Sequence, residues 1–189
     1  MGNVAAVTKG LLTPDDGMEG FKHQLRILTS MNSDLVKIQF QLNSTDWHGF
    51  SNETLWAKAL GLVTESNAFQ LENSPFYCKG VSYLDVIRAV DHDGMFEFAG
   101  VIARSGHSTY RILFDREDDT LRAWWKKLQE IGCTYEGGDF RGKKLFSIDV
   151  PPTTNIDLVY SILEKGEAAK IWVFEEGHFA KATSVRRNS

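Results

Sequence analysis

The densest run of chemically capable side chains is Arg104-Ser105-Gly106-His107-Ser108-Thr109-Tyr110-Arg111, which carries two guanidiniums, an imidazole and three aliphatic hydroxyls. Such a set could clamp an anion such as a nucleotide between Arg104 and Arg111. Gly106 would turn backbone N–H groups toward it, and His107 would donate a hydrogen bond or a proton. The plainer reading is a tied-down junction. In that case the hydroxyls bond local backbone, His107 bonds a carbonyl, and Arg111 pairs with a carboxylate on a neighbouring strand. The plainer reading is favoured, because a junction loop must satisfy its own buried backbone.

Other reaction templates fail one by one. His107 and Ser108 are adjacent, so on extended chain they point to opposite faces and do not form a nucleophile and its base. No GxSxG elbow is present. The histidines at 23, 48, 92, 107 and 178 show neither HExxH nor an i, i+4 pair, and Asp91-His92-Asp93-Gly94 reads as a tight hairpin rather than a metal site. Gly137, Gly138 and Gly142 are followed by no Lys-Ser/Thr pair and open no helix, so they read as hairpin turn residues and not as a phosphate loop. Cys78 and Cys133 lack CxxC spacing and read as two small buried thiols. No catalytic residue, metal or cofactor is therefore expected.

Two features point instead to recognition. Trp124 and Trp125 are adjacent on an expected helix, about 100° apart, so if Trp125 is core then Trp124 lies at the core's edge as a possible interface anchor. Glu175 and Glu176 follow the expected last strand and could face a basic partner.

The elements that position these residues follow from periodicity. Val36, Ile38, Phe40 and Leu42 alternate with Lys37, Gln39 and Gln41 as in a half-buried strand. Strands are then expected at 55–60, 67–71, 84–90 and 95–103, the last two joined by the Asp-Gly turn, which together suggest a curled sheet or barrel. Tyr110, Ile112 and Phe114 begin a different order. The acidic group Asp115, Glu117, Asp118 and Asp119 suits a helix N-terminus, and Leu121, Trp124, Trp125 and Leu128 repeat at helical spacing up to Gly132. Strands at 133–136 and 145–150 follow. A second helix, capped by Thr153, Thr154 or Asn155, carries Ile156, Val159, Ile162 and Leu163 and is expected to end at Gly166, before a last strand at 171–174. The expected fold class is α+β. A peripheral arm (1–33), with a short helix around Phe21, Leu25 and Leu28, precedes a small β-rich unit (34–107). A ferredoxin-like βαββαβ unit (108–179) and a loose tail (180–189) follow.

The totals agree with this division. With 189 residues, 42% hydrophobic and 24% charged, the chain can bury one ordinary core or two small ones. A formal charge of −4 supplies no basic field for duplex nucleic acid, and the aromatic-basic strand pattern of RNA-recognition modules is missing from 110–114 and 145–150. No apolar window is long enough to span a membrane, and Met1–Gly10 lacks a signal-peptide pattern, so a cytoplasmic location is expected.

Several stretches also resemble a known family. Leu55-Trp56-Ala57, Asn73-Ser74-Pro75-Phe76-Tyr77 with Gly80-Val81, the run Arg104 to Thr109 with Arg111, Asp149-Val150-Pro151-Pro152, and Trp172 with Glu175-Glu176-Gly177 are similar to the bacterial family known as domain of unknown function 4265. The likeness runs from about Asp34 to Phe179. It implies a small bacterial cytoplasmic protein and carries no catalytic role to any residue. By analogy with other small acidic bacterial proteins, the first functional expectation is an immunity protein that occludes a cognate toxin. The candidate contacts are Arg104, His107, Ser108, Arg111, Trp124, Glu175 and Glu176. The alternative is a domain binding, or acting on, an anionic small molecule through Arg104–Arg111.

Overall fold

The structure is a computed structural model that describes residues 8–9, 35–63 and 66–180. The helix expected around Phe21 and the tail beyond Ala180 lie outside the described residues. In chain order the elements are β1 (Thr8–Lys9), β2 (Leu35–Gln41), β3 (Asn52–Val63), β4 (Ser66–Leu71), β5 (Val86–His92), β6 (Met95–Ala103) and β7 (Ser108–Phe114). They continue with α1 (Asp119–Glu130), β8 (Thr134–Phe140), β9 (Lys143–Val150), α2 (Ile156–Ala168) and β10 (Val173–His178). The chain is a mixed α+β protein, mostly strands, with two sheets and two helices among the described residues.

Strands β2 to β6 form a closed barrel. Each consecutive pair is antiparallel, and five is an odd number, so β6 returns parallel to β2. The two pair at Ile38↔Phe96 and Gln39↔Glu97 to close the wall. Closure at so few strands needs strong local bending, and the ladder supplies it. The register slips between Ala59 and Gly61 on β3 and twice along β5. The period-two pattern of β2 then sends Ile38 and Phe40 inward against Leu55, Ala57, Phe69, Leu71, Ile87 and Ala89. The Asp-Gly hairpin forms as its sequence requires, with Asp93 and Gly94 both at positive φ and the Gly94 N–H donating to Asp91 Oδ1 at 2.7 Å.

The second sheet has the order β1-β8-β9-β7-β10, with every neighbouring pair antiparallel. Tyr110, Ile112 and Phe114 of β7 and Phe146, Ile148 and Val150 of β9 form one core with Leu121, Trp125 and Leu128 of α1 and Val159 and Leu163 of α2. Asp118 caps α1 by accepting from the Leu121 N–H at 2.9 Å. Gly132 ends it in a Schellman arrangement, with Gly132 N–H on Gln129 O and Cys133 N–H on Leu128 O.

Three expectations need correction. Gly137 and Gly138 lie inside β8 rather than in the turn, which is made by Arg141 and Gly142. The two glycines serve close approach, since a Cβ would meet the Phe146 ring at 3.3 Å and the Phe76 ring at 3.4 Å respectively. The second helix is capped by Asn155 and does not stop at Gly166. It continues to Ala168, because Lys170 adopts the left-handed conformation and makes the Schellman bonds, Lys170 N–H to Glu167 O and Ile171 N–H to Gly166 O. Gly166 is instead the floor on which the Trp172 ring lies. Finally, β10 runs from Val173 to His178, so Glu175, Glu176 and Gly177 are strand residues. The cause is register: Glu175 stands opposite Arg111, and Glu176 opposite Tyr110.

Candidate functional site

Because β7 and β9 alternate, the face opposite the helices carries Thr109, Arg111 and Leu113 beside Leu145, Ser147 and Asp149. This face is also covered, since nearly every residue of both strands is buried. Register aligns its polar groups in a row across four strands: Glu136 opposite Ser147, Ser147 opposite Arg111, and Arg111 opposite Glu175.

Each member of that row holds the segment 73–80, which joins β4 to β5. Glu136 Oε1 accepts from the Ser74 N–H at 2.8 Å, and Ser147 Oγ donates to Pro75 O at 2.7 Å. Arg111 Nη2 donates to Cys78 O, while its Nη1 donates to Glu175 Oε2 at 3.0 Å, and Glu175 also pairs with Lys79. From the barrel side, the buried Glu53 of β3 accepts three consecutive backbone N–H groups, those of Phe76, Tyr77 and Cys78, at 2.6, 3.0 and 2.7 Å. The segment is thus clasped between barrel and sheet, and its backbone polar groups are satisfied by side chains rather than by a ladder.

A second polar row completes the junction. Ser82 and Thr109 share a hydroxyl hydrogen bond at 2.8 Å, and His107 Nδ1 lies 2.7 Å from Asp149 Oδ1. Asp85, fully buried, gathers the linker between β6 and β7. It accepts from the N–H groups of Ser82 and Ser105, from Ser105 Oγ, and from Arg104 Nη1 at 2.9 Å. Arg104 Nη1 also reaches Gly80 O at 2.5 Å, and Ser108 Oγ accepts from the Ala180 N–H.

The structure therefore disperses the sequence-derived candidates instead of converging them. Arg104 faces Asp85, His107 faces Asp149, and Arg111, 1% exposed, is neutralised by Glu175. The two guanidiniums do not face a common opening. Trp124 is partly buried, edge-on to Trp172 at 5.9 Å, with Lys127 Nζ 3.5 Å above its ring. Glu176 sits on the helix side of β10 and is exposed.

Electrostatics do not prepare a nucleophile here. Burial pushes the Cys78 thiol well up, with Glu53 adding to the shift, and burial takes Cys133 up to about 12. Burial alone would raise Glu175, yet Lys79, Arg111 and the Trp47 indole together hold it below the usual glutamate value. Burial lowers the basicity of His48 and His178. Among the described residues no group of His, Cys, Asp and Glu side chains gathers as metal ligands do.

Sequence reasoning missed an aromatic shelf beside the clasp. Trp47 and Phe50, each 41% exposed, lie on the loop between β2 and β3 and pack on Phe140 and Tyr77 with centroids 4.9 to 6.1 Å apart. The Trp47 indole donates to Glu175 Oε2 at 3.0 Å, and the His48 Nδ1 accepts the Phe50 N–H at 3.0 Å. The Trp-His-Gly-Phe string at 47–50 was the available signal.

Comparison with known proteins adds a family and a fold. No curated protein gives a significant match. A solved structure described as "Novel crystal structure of a hypothetical protein from Neisseria gonorrhoeae" superposes with a TM-score of 0.58 at 20% identity, covering 77% of this chain and 95% of that one, which is a likeness of fold. The profile of the family described as Domain of unknown function (DUF4265) matches residues 53–174, well over half the chain, and the protein belongs to that family.

Proposed function

We propose that the chain is a non-enzymatic binding protein, specifically a bacterial immunity protein that neutralises a cognate protein toxin by covering its active site or substrate surface. The observation that carries this reading is the aromatic shelf. Trp47 and Phe50 are large, exposed and held in fixed orientation by Tyr77, Phe140 and Glu175, so little side-chain freedom is lost when a partner covers them. The Arg104–Arg111 run supports it from the other side, because its charged and imidazole groups are engaged within the chain and leave no pair of free cations for an anion. The reading takes residues 34–107 as the barrel unit and 108–179 as a ferredoxin-like unit. The antiparallel order β8-β9-β7-β10, with helices after β7 and β9, supports that division. The net charge of −4 favours a basic partner surface.

The test is co-purification of the full chain with the product of the adjacent reading frame, with and without Trp47→Ala and Phe50→Ala. The expected result is a stable complex that blocks the neighbour's toxicity. The double variant should lose at least about thirtyfold in affinity, the loss of about 2 kcal/mol or more that marks an aromatic anchor, with the fold retained as read by circular dichroism. A neighbour that is neither bound nor inhibited, or a complex indifferent to both substitutions, overturns the proposal.

A further inference from the structure

The floor of a cleft of about 420 Å³ between α2 and β10 is formed by Tyr110, which is fully buried and whose hydroxyl has no hydrogen-bond partner. A buried hydroxyl in that state is costly, so it marks a place where a polar group belongs. The walls are acidic. Asp157, Tyr160 and Glu164 fall on one stripe of α2 at i, i+3 and i+7, and Glu176 faces them from the position opposite Tyr110. Among the described residues no lysine, arginine or histidine forms an ion pair with any of these three carboxylates. The rims are aromatic: Tyr160 is 41% and Phe179 39% exposed.

We propose that this cleft binds an organic cation, a primary ammonium or guanidinium on an aliphatic stem. A bare metal ion does not fit, because the carboxylates do not converge as ligands do. Asp157 and Glu164 are seven residues apart, about 10 Å along the helix, so the negative field is spread over the length of an extended alkyl chain. The aromatic rims suit a cation and its methylene stem together. The head group would displace the exposed Tyr160 ring, which stands over Tyr110 at a centroid distance of 6.5 Å, and then donate to the Tyr110 oxygen. Burial, followed by Glu176, Tyr160 and Asp157, pushes the Tyr110 hydroxyl up to about 12, so it stays protonated and neutral across the working range and does not compete for the cation. The site is independent of the toxin reading, since its test needs no protein partner.

Calorimetric titration of the full chain at low salt uses two probes: agmatine, for a free small-molecule cation, and a blocked Gly-Arg-Gly peptide, for a protein side chain. Saturable one-to-one binding with a Kd below about 1 mM is expected for one or both, and the preferred probe assigns the source. Glu176→Gln should weaken it about tenfold, the worth of one charge-assisted hydrogen bond. Tyr110→Phe should weaken it without lowering the melting temperature, and Glu130→Gln, on the outer side of α1, should leave it unchanged. Absence of saturable binding by either probe, or equal weakening by Glu176→Gln and Glu130→Gln, overturns the proposal, the latter being the mark of diffuse attraction to an acidic chain.

Discussion

Replacing Glu53 by Gln changes one atom of the clasp and should unfasten it. The carboxylate is buried at 4% exposure and accepts the N–H groups of Phe76, Tyr77 and Cys78 at 2.6 to 3.0 Å. A carboxamide keeps one acceptor oxygen and turns an NH2 toward donors, so at least one short charge-assisted bond is lost and one buried N–H is left facing another donor. Each effect is worth roughly 1–3 kcal/mol, giving about 3 kcal/mol together, a large part of the 5–15 kcal/mol that holds a typical domain folded. At about 2–4 °C per kcal/mol for a chain of this size, the melting temperature should fall by roughly 6–12 °C. A local readout separates clasp opening from general weakening. Cys78 is buried in the gripped segment with its thiol held well up, while Cys133 lies in the helix-side core. In Glu53→Gln, alkylation of Cys78 under native conditions should accelerate while Cys133 stays protected. A variant that melts within about 1 °C of the parent, with Cys78 unchanged, refutes the reasoning behind the clasp.

Two further outcomes test the helix-side packing and the polar row. In Gly166→Ala the new Cβ would come closer than 3.0 Å to three atoms of the Trp172 ring, which is itself fixed by its indole bond to Leu163 O at 3.0 Å. Overpacking of about 1–3 kcal/mol or more should outweigh the ~1 kcal/mol that alanine gains over glycine in a helix, so the urea midpoint should drop with the slope unchanged. Glu175 has a folded pKa below its ordinary 4.5, so its contribution to stability is complete above that value and is lost as pH falls through the lower folded value. Urea midpoints measured through that acid window should fall in the parent, and the fall should be smaller in Glu175→Gln.

What was legible in the sequence was what depends on local pattern. The alternation around Ile38, the stripe Leu121, Trp125 and Leu128, and the Asp93-Gly94 turn all form as their spacing dictates. Arg111 shows where local pattern ends. Its alternation with Tyr110 and Ile112 puts it on the face away from the helices, and the favoured expectation of a carboxylate partner on a neighbouring strand is met by Glu175, though the sequence did not name that acid. Leu113 and Leu145 lie on the same face and were the visible sign that it is covered. Which acid meets Arg111 depends on the register of β7 with β10, and register cannot be read from either strand alone. Glu53 left no local trace, since Asn-Glu-Thr at a strand start looks like solvent-facing polarity and its three partners are 23 to 25 residues away.

The positions of the family-resembling stretches bear on where recognition lies. Asn73 to Tyr77 belong to the gripped segment, Arg104 to Arg111 bind the Asp85 knot and the polar rows, and Glu175 ends the first row. These motifs therefore describe how a barrel is fastened to a sheet, a requirement of the fold whatever the protein binds. Trp47 and Phe50, the exposed aromatics of the shelf, fall outside both those stretches and the matched span 53–174, as does Phe179 at the rim of the acidic cleft. A framework fixed by buried polar bonds leaves such surface positions free to differ without loss of the fold. It follows that substitutions in the clasp should act on stability first and on binding only through it, whereas substitution of the exposed cleft carboxylate Glu176 should act on binding while the protein melts as before.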